Sequence, residues 1–309
     1  MRERADGNEV HSGLRDSAKG VEIHAPGRFE LRAVGDEGDG FAQLVKGHVV
    51  EQNGVGAGDV TTLALIDEGT TCKATVLAKE PGVVCGLEAA TAVFAELGVA
   101  FDPLVEEGAR VERGTIAEVE GPARGVLTGE RLALNLIGRL SGIATLARRY
   151  VDAVAGTGAT ILDTRKTTPG LRALEKHAVA TGGAANHRFG LDDGVLVKDN
   201  HLRLTGGIAP AVASLRAATD LPVEVEAETL EQVREAVEAG ANAILLDNMS
   251  TDQLREAVAL VAGRAKLEAS GGVNLDTVRA IAETGVDLIS VGALTHSARS
   301  LDVSLEVLP

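Results

Sequence analysis

The run Asp163-Thr-Arg-Lys-Thr-Thr-Pro-Gly-Leu-Arg172 sets two cations beside a carboxylate where an apolar strand should end. Ala159-Thr-Ile-Leu162 reads as that strand, and Pro169-Gly170 opens the helix that follows. In α/β proteins ligands bind at the carboxyl ends of strands, which makes Thr164, Arg165 and Lys166 candidates for holding an anion. Asn186-His-Arg188 and Val197-Lys-Asp-Asn-His201 extend the cationic set with His187, Arg188 and Lys198. Guanidinium forks suit carboxylates and phosphates. The competing reading, structural ion pairs with neighbouring acids, stays open at this point.

These residues need a scaffold that brings strand ends together. After Gly158 the sequence alternates apolar strands, expected at 159–163, 194–198, 222–226, 243–247, 265–269 and 287–291, with amphipathic helices. Thr229…Gln232 and Ser250…Gln253 have the form of capping boxes, and Gly240, Gly263 and Gly285 stand as C-terminal stops. Such βα units demand a parallel sheet, and six strands predict a reduced barrel rather than an eight-stranded one. The strand ends are Asp163, Lys198, Glu226, Asp247, Glu268 and Ser290, all expected to face one mouth. Glu226 and Asp247, with Glu268 behind and Glu224 deeper, suit a Mg²⁺–pyrophosphate complex, ribose hydroxyls and a developing sugar cation. The last two strands lead into Glu268-Ala-Ser-Gly-Gly-Val273 and Ser290-Val-Gly-Ala-Leu294. There Ser270, Gly271, Gly272, Ser290, Val291 and Gly292 are placed to cradle a phosphate with backbone N–H groups.

Upstream the pattern is different. Residues 1–38 are polar and Gly-rich and read as a flexible extension. Asp59–Ile66 and Cys72–Leu77 read as strands, Gly86–Leu97 as a helix closed by Gly98, and Val105–Ala123 as short strands around Gly108 and Gly114. The last stretch has the turn rhythm of a lipoyl or biotinyl carrier but no lysine at the hairpin tip. Thr128 is the expected cap of a helix running to about Ala155, with Arg131 on its first turn. Leu132, Leu136, Leu140, Ile143 and Ala147 form its apolar stripe, and Gly138 and Gly142 permit close packing. The alternating tail Leu301–Val307 is expected to return as a strand of the first domain.

Composition limits the function classes. The net charge is −15 and aromatic residues are 2% of the chain, which disfavours nucleic acid and anionic membranes as partners. Among 30 Lys and Arg residues only eight are Lys, so Lys166 and Lys198 at strand ends stand out. Cys72 and Cys85 read as core residues, and no His or Cys spacing indicates zinc. His177 reads as structural and His201 as a loop orienter, with His296 unassigned. With no signal-like or membrane-length apolar run, the expected location is the cytoplasm.

The motifs together resemble those of quinolinate phosphoribosyltransferases, from about Asp59 to Leu305. The resemblance is carried by Glu130-Arg-Leu-Ala-Leu-Asn135, Leu140-Ser-Gly-Ile-Ala-Thr145, Asp163 to Leu174, Asn186-His-Arg188 and Lys198-Asp-Asn-His201. Leu245-Leu-Asp-Asn248, Glu268-Ala-Ser-Gly-Gly272 and Val286 to Ser297 complete the set. It implies an N-terminal α/β sandwich (39–143, with 297–309 returning to it) and an incomplete six- to seven-stranded parallel β/α barrel (144–296). It also implies a homodimer or larger assembly, with Arg131 crossing from one subunit into its partner's site. The implied reaction joins quinolinate and phosphoribosyl pyrophosphate into nicotinate mononucleotide, releasing pyrophosphate and CO₂, on the de novo route to NAD. Arg165, His187, Arg188 and Lys198 match residues that hold the quinolinate carboxylates. Lys166, Glu226 and Asp247 match positions around phosphoribosyl pyrophosphate and its Mg²⁺, which the two carboxylates hold directly or indirectly. Ser270–Gly272 and Ser290–Gly292 match the 5′-phosphate loops. Lys198 is the candidate proton donor after decarboxylation.

The extension before Phe41, the stretch Glu51-Gln-Asn-Gly and Ala184 in place of a third glycine depart from the family pattern. Three rivals remain: a phosphoribosyltransferase-like paralogue of molybdenum-transport operons, a Schiff-base lyase of the aldolase kind using Lys166 or Lys198, and a non-catalytic sensor of nucleotide metabolites.

Overall fold

The structure, a computed structural model, describes residues 58–309. The expected extension 1–38, the start of the first domain at 39 and the Glu51-Gln-Asn-Gly departure lie outside the described residues.

The first described element corrects an expectation. Asp59–Ile66 is not a strand: Val60–Leu65 is a helix, α1. The Asp59 carboxylate accepts from the Thr62 backbone N–H at 3.0 Å and from its hydroxyl at 2.6 Å, satisfying donors that the first helical turn leaves orphaned. This cap outweighs the strand propensity of Val60, Thr61 and Thr62.

The sandwich follows. Thr71–Ala78 (β1) alternates from Ala74 onward between buried and half-buried positions, as a one-sided strand should. Gly82–Val83 (β2) leads to Leu87–Ala95 (α2), then to Ala100–Pro103 (β3), Arg110–Val111 (β4) and Gly114–Pro122 (β5). Gly86, left-handed at φ 99°, precedes α2. The Glu107 carboxylate accepts the N–H groups of Gly86 and Leu87 at 3.0 and 2.7 Å. This cap comes from about twenty residues away, and sequence reading missed it.

Ala123–Ala153 forms a single helix of 31 residues, α3. It starts five residues before the expected Thr128 cap, because β5 runs directly into it through Pro122. Thr128 therefore lies within the helix, and Glu130 and Arg131 sit beyond its first turn. The helix serves two cores: Val126, Leu132 and Ile137 pack in the sandwich, whereas Leu140, Ile143 and Ala147 pack in the barrel. The expected 143/144 boundary thus falls inside one continuous helix. At Gly142 a Cβ would collide with the Arg299 carbonyl, and at Gly138 it would lie 3.0 Å from that of Leu301. The close approach read from these glycines is real, and the returning C-terminal segment fills it.

The barrel strands are Thr160–Leu162 (β6), Val195–Val197 (β7), Val223–Ala227 (β8), Ala243–Asp247 (β9), Lys266–Ser270 (β10) and Leu288–Ser290 (β11). The connecting helices are Arg172–Thr181 (α4), Asp199–Thr205 (α5), Ile208–Ala218 (α6), Leu230–Ala239 (α7), Thr251–Val261 (α8), Val278–Ala282 (α9) and Ala293–His296 (α10). The parallel order is β6-β11-β10-β9-β8-β7, open between β6 and β7. A lone parallel bridge from Leu162 to Ala185 adds a partial seventh position at that gap. The capping boxes at Thr229 and Ser250 are present, each side chain accepting the N–H three residues on. Val303–Val307 (β12) returns to pair antiparallel with β1, giving the sheet order β12-β1-β5-β3. Ala184 is buried with no positive φ; the left-handed turn is made at Gly183, φ 89°. The departure from a third glycine therefore carries no strain.

Candidate active site

A cavity of about 640 Å³ opens at the carboxyl end of the parallel sheet. Thr164, Arg165, Lys166, His187, Arg188, Lys198, Glu226 and Asp247 all line it, as do Ser270–Gly272 and Ser290–Gly292. The sequence also placed Asp163 here, and the structure overturns that. Asp163 is fully buried, its Oδ1 accepting from Lys176 Nζ at 2.6 Å and from the His187 N–H at 2.8 Å. Lys176, 1% exposed, also donates to the His187 carbonyl at 2.9 Å. With its amide nitrogen turned to these acceptors, Asn186 donates to Asp163 Oδ2 and to the Lys176 carbonyl. The buried pair is a clamp that fixes the turn presenting His187 and Arg188. Burial pushes the Asp163 carboxyl up to about 6 against the opposing pull of the Lys176 charge.

The cationic wall is ordered from behind. Arg172 donates to Thr167 Oγ1 at 3.0 Å and to the Phe189 carbonyl at 3.1 Å, lacing the Arg165–Lys166 loop to the Arg188 loop. Arg188 donates to the Gly194 carbonyl at 2.9 Å. Burial, reinforced by the neighbouring Arg165 charge, lowers the Arg188 guanidinium below its usual range. Among the described residues, Arg165, Lys166 and Arg188 have no carboxylate within ion-pair distance. Structural ion pairing therefore does not explain these three, and the electrostatic cost of gathering them favours an anionic ligand. Lys198 differs: its Nζ donates to Glu226 Oε2 at 2.9 Å.

His187 is oriented by both ring nitrogens. Its Nδ1 accepts the Arg188 N–H at 2.8 Å, which assigns the proton of the neutral ring to Nε2. Nε2 faces Glu224 Oε2 at 3.1 Å and Glu268 Oε2 at 3.5 Å. Glu268, 1% exposed, is raised well above the ordinary carboxylate range by burial and then by the Glu224 charge. These acids form the floor beneath the cavity, as the depth order Glu226 then Glu224 suggested.

Two polar lining residues, Asn248 and His296, had no role assigned from sequence. Asn248 holds a left-handed φ of 55° and donates from Nδ2 to Asp247 Oδ2 at 2.8 Å. Its N–H donates to the Ser270 carbonyl at 2.9 Å, tying the β9 end to the first glycine loop. His296 borders the second loop, and a Cβ on Gly292 would lie 3.1 Å from its Nε2 and 3.3 Å from Lys166 Cδ. His201 acts as a helix cap, its Nδ1 accepting the Lys198 N–H at 3.0 Å. The remaining expected residue, Arg131, lies elsewhere, beside a smaller cavity of about 390 Å³ with Asn135 and Asp302. Its side chain is 67% exposed.

Outside the cavity, Cys85, Glu107 and His177 gather with ligand atoms within 4.8 Å of one another, a proximity that spacing in sequence did not reveal. Cys85 is buried as expected, which pushes its thiol well up; Cys72 is only half-buried.

Family models for the quinolinate phosphoribosyl transferase N-terminal and C-terminal domains match residues 59–141 and 143–306. The chain belongs to the quinolinate phosphoribosyltransferase family. It is 45% identical over 258 residues to the probable nicotinate-nucleotide pyrophosphorylase [carboxylating] of Bacillus subtilis, covering 82% of this chain and 89% of that one. Identity to the Mycobacterium leprae nicotinate-nucleotide pyrophosphorylase is also 45% over 258 residues, covering 81% and 91%. Among solved structures, NadC from Streptococcus pyogenes superposes with a TM-score of 0.81 at 40% identity, covering 86% of this chain and 96% of that one. The Francisella tularensis nicotinate-nucleotide pyrophosphorylase gives 0.84 at 36%, covering 90% and 99%. The quinolinate phosphoribosyltransferase family thus accounts for both domains. No helix among the described residues is long and apolar enough to cross a membrane.

Proposed function

We propose that this chain is a quinolinate phosphoribosyltransferase acting in the decarboxylating direction, with quinolinate and phosphoribosyl pyrophosphate as substrates. The observation that carries this reading is the wall of Arg165, Lys166 and Arg188, not ion-paired among the described residues, facing Glu226 and Asp247 across one cavity. Two arginines suit the two ring carboxylates, and holding them aims the pyridine nitrogen at the ribose C1. Such orientation supplies a large part of the rate. The glycine loops at Ser270–Gly272 and Ser290–Gly292 suit the 5′-phosphate. As pyrophosphate leaves, Glu226 and Asp247 face the positive sugar. Ribosylation makes the ring nitrogen cationic, so it accepts the electrons released when the adjacent carboxylate departs as CO₂. Names ending in pyrophosphorylase [carboxylating] describe the same reaction in reverse.

Mg²⁺ fits the donor set, since two hard carboxylates near substrate phosphates are what it requires; Glu226 and Asp247 would hold it, directly or through water. When bound it neutralises charge on the leaving pyrophosphate. Lys198 remains a candidate to return the proton to the ring.

Purified protein supplied with quinolinate, phosphoribosyl pyrophosphate and Mg²⁺ is expected to yield equal amounts of CO₂ and nicotinate mononucleotide, and none of the nucleotide from nicotinate. Turnover of nicotinate instead, or no product from quinolinate, would move the search to other acceptors, including that of the molybdenum-operon paralogue. Gly271→Ala tests the phosphate loop. Gly271 has φ +91°, and a Cβ there would strike the Asn248 side chain. Strain of about 1–3 kcal/mol should displace the loop, raising KM for phosphoribosyl pyrophosphate while leaving KM for quinolinate near wild type.

We further infer a cytoplasmic homodimer in which Arg131 serves the partner's site. Its exposure and its place beside a different cavity of its own chain support this. Arg131→Ala should abolish quinolinate turnover yet leave assembly intact, and mixing it with Lys198→Ala should restore activity. Inactive heterodimers, verified by mass, would refute a shared site.

A further inference from the structure

The loop that carries Arg165 and Lys166 is held at two points by residues outside the cavity's binding groups. Thr295, 0% exposed on α10, donates from its hydroxyl to the Lys166 carbonyl at 2.8 Å. At the far end of the loop, Thr168 donates to Glu175 through its N–H at 3.0 Å and its hydroxyl at 2.7 Å. Both holds converge on Arg139. Its guanidinium donates to Glu175 Oε1 at 2.7 Å, to the Ala298 carbonyl at 3.1 Å and, by a short hydrogen bond, to the Thr295 carbonyl. Glu175 is itself fully buried. One planar cation therefore fixes α4, α10 and, through them, both ends of the Lys166 loop.

We propose that Thr295, backed by the Arg139–Glu175 pair, is a positioning residue that sets the place of the Lys166 amine at the phosphoribosyl pyrophosphate subsite. Three features carry this. The Thr295 hydroxyl bonds to the backbone of Lys166 itself rather than to a remote part of the fold. The Lys166 stem passes close above Gly292 in the second glycine loop, so a small shift of its backbone moves the amine across that loop. Arg139 is irreplaceable by a point charge, because its acceptors lie in different directions around one plane. The inference rests on the proposed substrate assignment of this site.

Thr295→Val removes the hydroxyl at nearly constant volume, and Thr295→Ser returns it. Titration calorimetry with phosphoribosyl pyrophosphate and Mg²⁺ is expected to show about tenfold weaker binding for the valine variant, the scale of one lost hydrogen bond. Serine should retain wild-type affinity. In steady-state assays KM for phosphoribosyl pyrophosphate should rise and KM for quinolinate stay nearly constant, with Arg139→Lys behaving as the valine variant does. Equal affinities for wild type, valine and serine would overturn the proposal, as would no binding by the wild type. Melting temperatures separate a general loss of fold, which would weaken both substrates together. If wild type binds phosphoribosyl pyrophosphate with this pattern but does not turn over quinolinate, the acceptor assignment fails and the positioning role stands.

Discussion

Lys176→Met is expected to destabilise the fold by about 3–5 kcal/mol, because it leaves Asp163 as an unpaired charge in a fully buried site. Asp163 has no route to water: it is 0% exposed, and its Oδ1 is already committed to Lys176 and to the His187 N–H. The change should also lower activity, since the same ammonium holds the His187 carbonyl and thus the turn that presents Arg188. Asp163→Asn alone strands the lysine and should cost a similar amount. The double variant, Asp163→Asn with Lys176→Met, should recover much of the loss, because neither charge then needs a partner. Chemical denaturation of the four proteins measures the coupling directly; additive losses would show that the two groups do not act as a pair.

The pair also predicts a pH dependence. Burial raises the Asp163 carboxyl to about 6, above its ordinary value, so the folded state holds this proton where the unfolded chain has released it. Its contribution to stability is complete below the ordinary aspartate range and is lost as pH rises through about 6. Burial lowers Lys176, so its own contribution is complete above the ordinary lysine range and is lost as pH falls through the lowered value. Both shifts come from burial of the charged forms, so breaking the pair leaves one uncompensated charge, whereas replacing both members leaves none. A denaturation series from pH 4 to 7 should show this falling component in wild type and its absence in Asp163→Asn.

Arg188→Ala should lower kcat/KM for quinolinate by about 10²–10⁴-fold, the effect of losing two charge-assisted hydrogen bonds worth roughly 1.5–3 kcal/mol each. Arg188 is held with its guanidinium against the Gly194 carbonyl and beside Arg165, with no carboxylate within ion-pair distance among the described residues. Its removal thus relieves charge repulsion in the unliganded protein, and the melting temperature should not fall. Arg188→Lys should recover little, because an ammonium lacks the planar fork. A variant within threefold of wild type would remove Arg188 from the quinolinate site and weaken the dicarboxylate assignment.

Much of the site was legible because its signals are local. Strand ends, glycine loops and the caps at Thr229 and Ser250 depend on residues within a few positions of each other. Every residue expected to line the cavity from its own chain does so except Asp163; Arg131 was expected to serve the partner's site. The failures have separate causes. Asp59–Ile66 carries strand-forming side chains, yet one carboxylate at its start closes a helical turn. Thr128 looks like a cap but lies inside a helix begun at Ala123 directly out of β5. Asp163 directly follows the end of β6 and turns inward, because α4 brings Lys176 beneath it.

The order of residues by itself determined the βα alternation, the parallel sheet and the set of groups at its mouth, since periodicity and capping are written over short spans. Tertiary structure alone decided which of those groups are paired and which face the ligand. Lys176 against Asp163, Lys198 against Glu226, His187 above Glu224 and Glu268, and Arg139 behind the Lys166 loop are contacts between residues far apart in the chain. Similar charges occur throughout the sequence, and only the packing of strands and helices selects the few that come within hydrogen-bonding distance.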